Sequence, residues 1–311
     1  FHQFFPIDNN YISKKFINYW KPQKVYFIDS EIWPNMILNL KKNEIPIGLI
    51  NARITKKTFK RWKLFYNLAY KLFSQIDICL SSSMNSFKYL KKLNVKRLKL
   101  IGNLKFSQSE FGYPKINKRL KKFLNKKKTW CSSSTHESEE LLIGLVHLKL
   151  KKNINNLLTI IIPRHVERCE KIKKDLENLN LKVHMDSLNK KINSDTDIYL
   201  VDSYGKTNIF FNSTDNVFLG GSLINHGGQN PLEAARLGCN ILSGPNVQNF
   251  DEIYKFLEKN KISQKVSNQI ELKKKLSILL NKKKRSKKIK NKIKKIGQNI
   301  LVKTYKEINL I

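Results

Sequence analysis

The chain has 311 residues, enough for two domains that each bury a core. Hydrophobic residues make up 41% of it, which excludes a disordered chain, and no apolar run is long enough to span a bilayer. The formal net charge is +36, carried by 52 Lys and 8 Arg; it reads either as drift of solvated faces toward Lys in an A- and T-rich genome, or as attraction to nucleic acid, an acidic membrane surface or a phosphorylated substrate.

The first part alternates strands and helices. Val25 to Ile28 and Pro46 to Ile50 are apolar runs suited to buried parallel strands. A single helix is expected from about Lys57 to Phe73, with Trp62, Phe65, Leu68, Ala69 and Leu72 at helical spacing. Strands at Ile76 to Leu80 and Leu98 to Ile101 flank a helix at Ser86 to Leu93. A polar, Lys-rich stretch holding Gly112 and Pro114 reads as a linker over 109–128.

The second part, 129–295, repeats the pattern. Strands are expected at Thr129 to Cys131, Leu157 to Ile162, Ile198 to Val201, Asn216 to Leu219 and Asn240 to Leu242. Helices are expected at Ser138 to Lys151, Lys171 to Asn178, Pro231 to Leu237 (closed by Gly238) and Glu252 to Asn260. A basic helical tail covers Glu271 to Tyr305. The alternation predicts an α/β fold with parallel sheets. Cys79, Cys131, Cys169 and Cys239 form no CxxC pair and suit buried thiols in a reducing compartment.

Residues 201–250 contain one Lys, Lys206, and seven of the twelve glycines. Positions that resist a chain-wide drift toward Lys point to a binding site, or to a well-buried strand pair with its turns. Within this window Asn216 to Leu219 runs into Gly220-Gly221-Ser222, where paired glycines let backbone approach a ligand. Gly227-Gly228-Gln229-Asn230-Pro231-Leu232-Glu233 follows. Asn230 suits an N-cap and Pro231 the first helical position, leaving amides for an anion, while Glu233 could accept bonds from sugar hydroxyls.

Pro163-Arg164-His165 ends the most apolar strand, placing a guanidinium for phosphate or carboxylate unless it pairs with Glu167 or Glu170. Ser132 to Glu137 is a hydroxyl-rich junction that either binds an anion or forms a capping box through Thr135 and Ser138. In the first part, Glu31 follows a strand and Lys105 follows Gly102-Asn103-Leu104; both are catalytic candidates, with Lys105 expected to face an interdomain cleft. No P-loop, HExxH or EF-hand pattern is present, so neither a metal nor a cofactor is expected.

Seven motifs in order resemble the bacterial 3-deoxy-D-manno-octulosonic acid (Kdo) transferases of lipopolysaccharide synthesis, across nearly the whole chain. They are Ser30-Glu31-Ile32-Trp33-Pro34-Asn35, Asn51-Ala52-Arg53, Gly102-Asn103-Leu104-Lys105-Phe106, Ser134-Thr135-His136-Glu137, Pro163-Arg164-His165, Gly220-Gly221-Ser222 and Gly228-Gln229-Asn230-Pro231-Leu232-Glu233. The resemblance implies a B-type glycosyltransferase fold, with two Rossmann-like domains whose parallel sheets face a cleft. Residues 1–108 would be the acceptor-side domain, 129–295 the donor-binding domain, and 296–311 a helix packing back on the first. It implies inverting, metal-independent transfer of Kdo from CMP-Kdo to the lipid A precursor, a tetraacyl disaccharide bisphosphate.

Carried over by position, the donor contacts are Ser134, Thr135, His136, Pro163, Arg164, His165, Tyr204, Gly205, Lys206, Gly220, Gly221, Ser222, Gly228, Asn230, Pro231, Leu232 and Glu233, with Glu233 on the ribose. Glu31 and Lys105 match positions that assist the transition state. The family's Ser-x-Gly-Glu motif, whose Glu is the general base, is absent from these residues, which alone should be nearly inactive. Tyr204-Gly205-Lys206 stands where relatives often have Met-Gly-Glu.

The expected location is the cytoplasmic face of the bacterial inner membrane, held peripherally or by an upstream segment, with helices such as Lys56 to Lys63 on the anionic surface. A UDP-sugar donor is the alternative within the fold. A nucleic-acid-binding protein is the alternative outside it, but no basic region interleaved with aromatics supports that, and no nucleic-acid partner is expected.

Overall fold

The computed structural model describes residues 2–107, 116–188, 191–282 and 286–310. The chain divides into two units, one of Phe1–Gln108 with Lys295–Ile311 and one of Ser109–Lys294. Gly112 and Pro114 of the expected linker lie outside the described residues.

In the first unit the order is α1 (Asn10–Trp20), β1 (Val25–Ile28), α2 (Pro34–Lys42), β2 (Ile47–Ala52), α3 (Lys56–Leu64), α4 (Tyr66–Phe73), β3 (Ile78–Ser81), α5 (Met84–Lys92) and β4 (Leu98–Leu100). The strands form one parallel sheet in the order β1-β2-β3-β4. β2 and β3 are buried throughout, as their apolar runs require when helices cover both faces. Ile37, Leu40, Leu49, Leu72, Phe73 and Leu90 fill the core.

The single helix expected over 57–73 is two. The first ends where the Phe65 amide turns to Trp62 O, with Phe65 at φ −120° and ψ 50°. Phe65 and Leu68, expected inside, are 66% and 49% exposed, while Ala69 and Leu72 are buried. α1 was not among the expected elements; it buries Ser13 and Ile17, and Asn9 caps it by accepting from the amides of Tyr11 and Ile12.

The second unit holds α6 (Lys118–Leu124), β5 (Lys128–Thr135), α7 (Glu139–Lys151), β6 (Leu157–Pro163), α8 (Cys169–Glu177), β7 (Val183–Met185), β8 (Ile198–Leu200), α9 (Thr207–Phe211) and β9 (Asn216–Leu219). α10 (Leu232–Arg236), β10 (Asn240–Ser243), α11 (Asp251–Lys259), β11 (Ser263–Lys265) and α12 (Gln269–Leu280) follow. Their sheet is parallel, in the order β11-β10-β9-β5-β6-β8-β7. Trp130, Ile143, Val146, Ile161, Leu200, Phe218 and Leu242 anchor its core.

β5 corrects the expected junction. Ser132 to Thr135 continue the strand, because small hydroxyl side chains fit a central strand pressed between β6 and β9. The tail is broken at Leu280 into α12 and a last helix, α13 (Ser286–Ile308). The end of α13 belongs to the first unit, where Tyr26 Oη donates to Ile308 O at 2.9 Å and Lys99 pairs with Glu307 at 2.8 Å. A Cβ on Gly297 would stand 2.3 Å from Phe106 O, so only glycine permits that approach. Among the described residues no helix is long and apolar enough to cross a membrane.

Candidate functional site

In the second unit the chain runs from β5 through β6 to β7 and β8, then returns past β5 to β9 and onward to β10 and β11. Travel reverses between β5 and β9. The crevice outside the carboxyl ends of such strands is where open parallel sheets bind ligands. Two segments meet there, Ser134-Thr135-His136 closing β5 and Gly220-Gly221-Ser222 following β9.

Glu139, the first residue of α7, joins them. Its Oε2 accepts the amides of His136 at 3.0 Å and Gly221 at 2.7 Å. Its Oε1 accepts those of Ser222 and Leu223, both at 3.2 Å. The paired glycines, expected to admit a ligand, therefore admit the chain itself: a Cβ on Gly220 would stand 2.6 Å from Ser134 O and 2.8 Å from Glu139 Oε2. Ser222 is fully buried, and its hydroxyl donates to Leu219 O and accepts from Gly244 N at 2.8 Å. Gly220 and Ser222, expected at the ligand, are spent on internal contacts.

Nor is there a capping box at Thr135 and Ser138. Ser138 occupies the N-cap at φ 72° without a side-chain cap bond. The Thr135 hydroxyl is buried with no partner among the described residues. Ser134, at φ 56°, is half-buried.

His136 is nearly enclosed. Its ring lies 3.9 Å from that of His226 and 6.1 Å from that of His165, centroid to centroid. Burial first, and then the charges of His226, His165, Arg164 and Arg168, push its pKa down to about 4. His136 is therefore neutral near pH 7, and its Nε2 lies 3.3 Å from the Gln229 side-chain amide.

Pro163 is buried at the end of β6, and Arg164 N donates to Thr135 O at 3.0 Å. The Arg164 side chain is exposed and pairs with neither Glu167 nor Glu170. Glu167 instead meets His165 at 3.3 Å and accepts from Tyr204 Oη at 3.2 Å. Arg168 grips Glu140 through two bonds of 3.1 Å. Gly205, at φ 80°, borders open space, while Lys206 pairs with buried Asp186. The Lys206 charge is thus compensated within the chain.

The glycine-rich loop folds back on the sheet. Gly228, at φ 75°, donates to Gly221 O at 2.8 Å, and Tyr254 Oη donates to Gln229 O at 3.0 Å. Asn230 Oδ1 accepts from Leu232 N at 3.1 Å, so Pro231 precedes the helix rather than opening it, and one first-turn amide is already capped. Glu233 is half-buried, with Oε1 accepting from Asn208 Nδ2 at 3.2 Å.

In the first unit, Glu31 is exposed, and its Oε2 accepts from Trp33 Nε1 at 2.9 Å. Lys105 Nζ lies 3.0 Å from Asp29 Oδ2. Asn51, at φ 55°, donates to Asp29 and accepts from Leu104 N at 2.9 Å, which fixes the turn that carries Lys105.

The family model described as 3-Deoxy-D-manno-octulosonic-acid transferase (kdotransferase) matches residues 1–108. The 3-deoxy-D-manno-octulosonic acid transferase of Rickettsia typhi is 34% identical over 286 residues, covering 90% of this chain and 60% of that protein. That of Rickettsia bellii is 32% identical over 287 residues, covering 90% of this chain and 67% of that protein. The chain belongs to the Kdo transferase family. It spans about 60% of the length of most of the curated Kdo transferases it matches. The C-terminal CMP-Kdo binding domain of WaaA from Acinetobacter baumannii superposes with a TM-score of 0.52 at 26% identity, covering 56% of this chain and 91% of that one. Anabaena HepE in complex with UDP shares the fold, with a TM-score of 0.56 at 10% identity over 96% of this chain and 80% of that one.

Within this member of the Kdo transferase family the structure brings His136, Arg164, His165 and the Gln229 side of the glycine-rich loop to one end of the sheet. Glu139, His226 and Asp29 were not among the residues singled out from the sequence, and Asn51 was singled out only as part of a motif. The available signal was an acidic side chain opening a helix in a basic chain, and a histidine next to paired glycines.

Proposed function

We propose that the protein moves Kdo from CMP-Kdo to the phosphorylated, acylated glucosamine disaccharide precursor of lipid A, inverting the anomeric centre without a metal. The observation that carries this reading is the cluster of Arg164, His165, His136 and His226 where travel reverses between β5 and β9, in a chain whose relatives are Kdo transferases. The bond from the Kdo anomeric carbon to the phosphate breaks as the acceptor oxygen attacks, and CMP leaves with its charge. Arg164 compensates that charge, as a guanidinium does for a phosphate. Glu233 keeps one carboxylate oxygen for the ribose hydroxyls, its other being held by Asn208. Glu31 and Lys105 support the acceptor side, and the family's general-base Glu takes the acceptor proton.

The protein works at the anionic cytoplasmic face of the inner membrane. α3 carries Lys56, Lys57, Lys60, Arg61 and Lys63, and its carboxyl end exposes Leu64 and the capping residue Phe65. A basic helix beside exposed apolar side chains suits a bilayer surface. Reversing Lys56, Lys57 and Lys60 to Glu should weaken sedimentation with acidic vesicles, and parental binding would refute this surface.

Calorimetric titration tests the donor. CMP should bind more tightly than UMP, and the opposite order would defeat the assignment in favour of a UDP-sugar. Turnover of the intact protein should survive chelation of divalent ions.

A further inference from the structure

We propose that Glu139 is a positioning residue of the donor site, its carboxylate filling the anion nest after β9 and locking the ends of β5 and β9 together. This rests on the donor reading above. Glu139 is 1% exposed, and among the described residues no cation pairs with it, since Arg168 is committed to Glu140. A buried carboxylate persists without a counter-ion only where several donors converge on it. Here three successive amides, Gly221, Ser222 and Leu223, form a concave nest of the kind that holds anions, with Gly221 at φ 62°. The fourth amide, from His136, belongs to the neighbouring strand end.

The two oxygens divide this work. Oε2 spans the two strand ends through His136 and Gly221, and Oε1 secures the loop through Ser222 and Leu223. His136 is thereby gripped twice: its amide by Glu139, its ring by Gly221, whose Cβ position lies 3.1 Å from His136 Cδ2, and by Gln229 at 3.3 Å. The loop held in this way also carries His226. Because the nest is filled from within, the donor phosphate is shut out of these amides and falls to Arg164 and its neighbours.

The test is Glu139→Gln in the intact protein. Glutamine keeps the shape but turns an NH2 group toward two amide donors, so one oxygen's pair of bonds becomes a repulsion. CMP affinity by calorimetry should fall roughly 10- to 100-fold. The His136 imidazole, followed by nuclear magnetic resonance, should titrate closer to an ordinary histidine. Glu139→Asp should give a smaller loss of the same kind. Parental CMP affinity together with parental His136 titration in Glu139→Gln would overturn the proposal.

Should that variant fail to fold, Glu139→Asp decides in the same way, together with amide exchange in the parent. Free exchange at Gly221, Ser222 and Leu223 would overturn the proposal. A parent that binds no CMP sinks the donor reading instead, and the His136 titration and amide protection still judge Glu139.

Discussion

The carboxyl ends of the two sheets each hold a carboxylate, and the two are satisfied by opposite means. In the second unit Glu139 is buried and meets four backbone amides. In the first unit Asp29 is 36% exposed and meets the Lys105 ammonium, itself 50% exposed, and the Asn51 side chain. Backbone amides cannot leave once the strands are paired. A lysine on a four-carbon stem can be drawn to a competing anion at little cost, because an exposed ion pair contributes only about 0 to 1 kcal/mol. The second unit therefore presents a fixed wall and the first an exchangeable charge.

The largest effect should come from Arg164→Ala. Its side chain makes no ion pair with Glu167 or Glu170, so the thermal transition should stay in place while CMP affinity drops about 30- to 150-fold, the loss of a charge-assisted bond of roughly 2 to 3 kcal/mol. A loss below threefold would mean that the fixed wall does not present this charge to the ligand.

Gly228→Ala should come next. The residue sits at φ 75°, and a Cβ would meet Val247 Cα at 3.0 Å. Strain of about 1 to 3 kcal/mol should lower the thermal midpoint by several degrees. An unchanged midpoint would show that the glycine-rich loop is not part of the wall.

The pH dependence sharpens the contrast. The His136 pKa is lowered to about 4 in the folded chain, against about 6.5 for an unfolded histidine. Between these values the unfolded state binds the proton and the folded state does not. Stability from this group is thus complete above pH 6.5 and declines as pH falls toward 4. His136→Gln should flatten that slope in urea titrations at pH 7 and pH 5. An identical slope would show that the imidazole is already solvated.

The smallest effect should be at the exchangeable end. A double-mutant cycle of Asp29→Asn and Lys105→Ala should give a coupling below about 1 kcal/mol in stability. A coupling well above that would make the first-unit end as fixed as the second.

The central strands were legible in the sequence because parallel strands covered on both faces are written as apolar runs, as in Leu157 to Pro163. The short strands Val183–Met185 and Ser263–Lys265 were not, since three residues at or near a sheet edge carry no period. Ser132 to Thr135 looked like a loop because hydroxyls mark turns locally, and only the position between two strands makes them strand residues. The arginine and histidine after β6 could be named from sequence. The role of Glu139 could not, because three of its four amide partners lie 82 to 84 residues away and become neighbours only through the return crossover to β9.

The composition of the first unit carries a consequence for the order in which the chain is made. The second unit, Ser109–Lys294, is one uninterrupted stretch and has all its residues as soon as it has left the ribosome. The first unit needs Lys295–Ile311, since Tyr26, Lys99 and Gly102 take partners from Ile308, Glu307 and Ile300. The half that is translated before the other therefore gains these contacts after it, and until then Tyr26, Lys99 and the face beneath Gly102 wait for the last turns of α13.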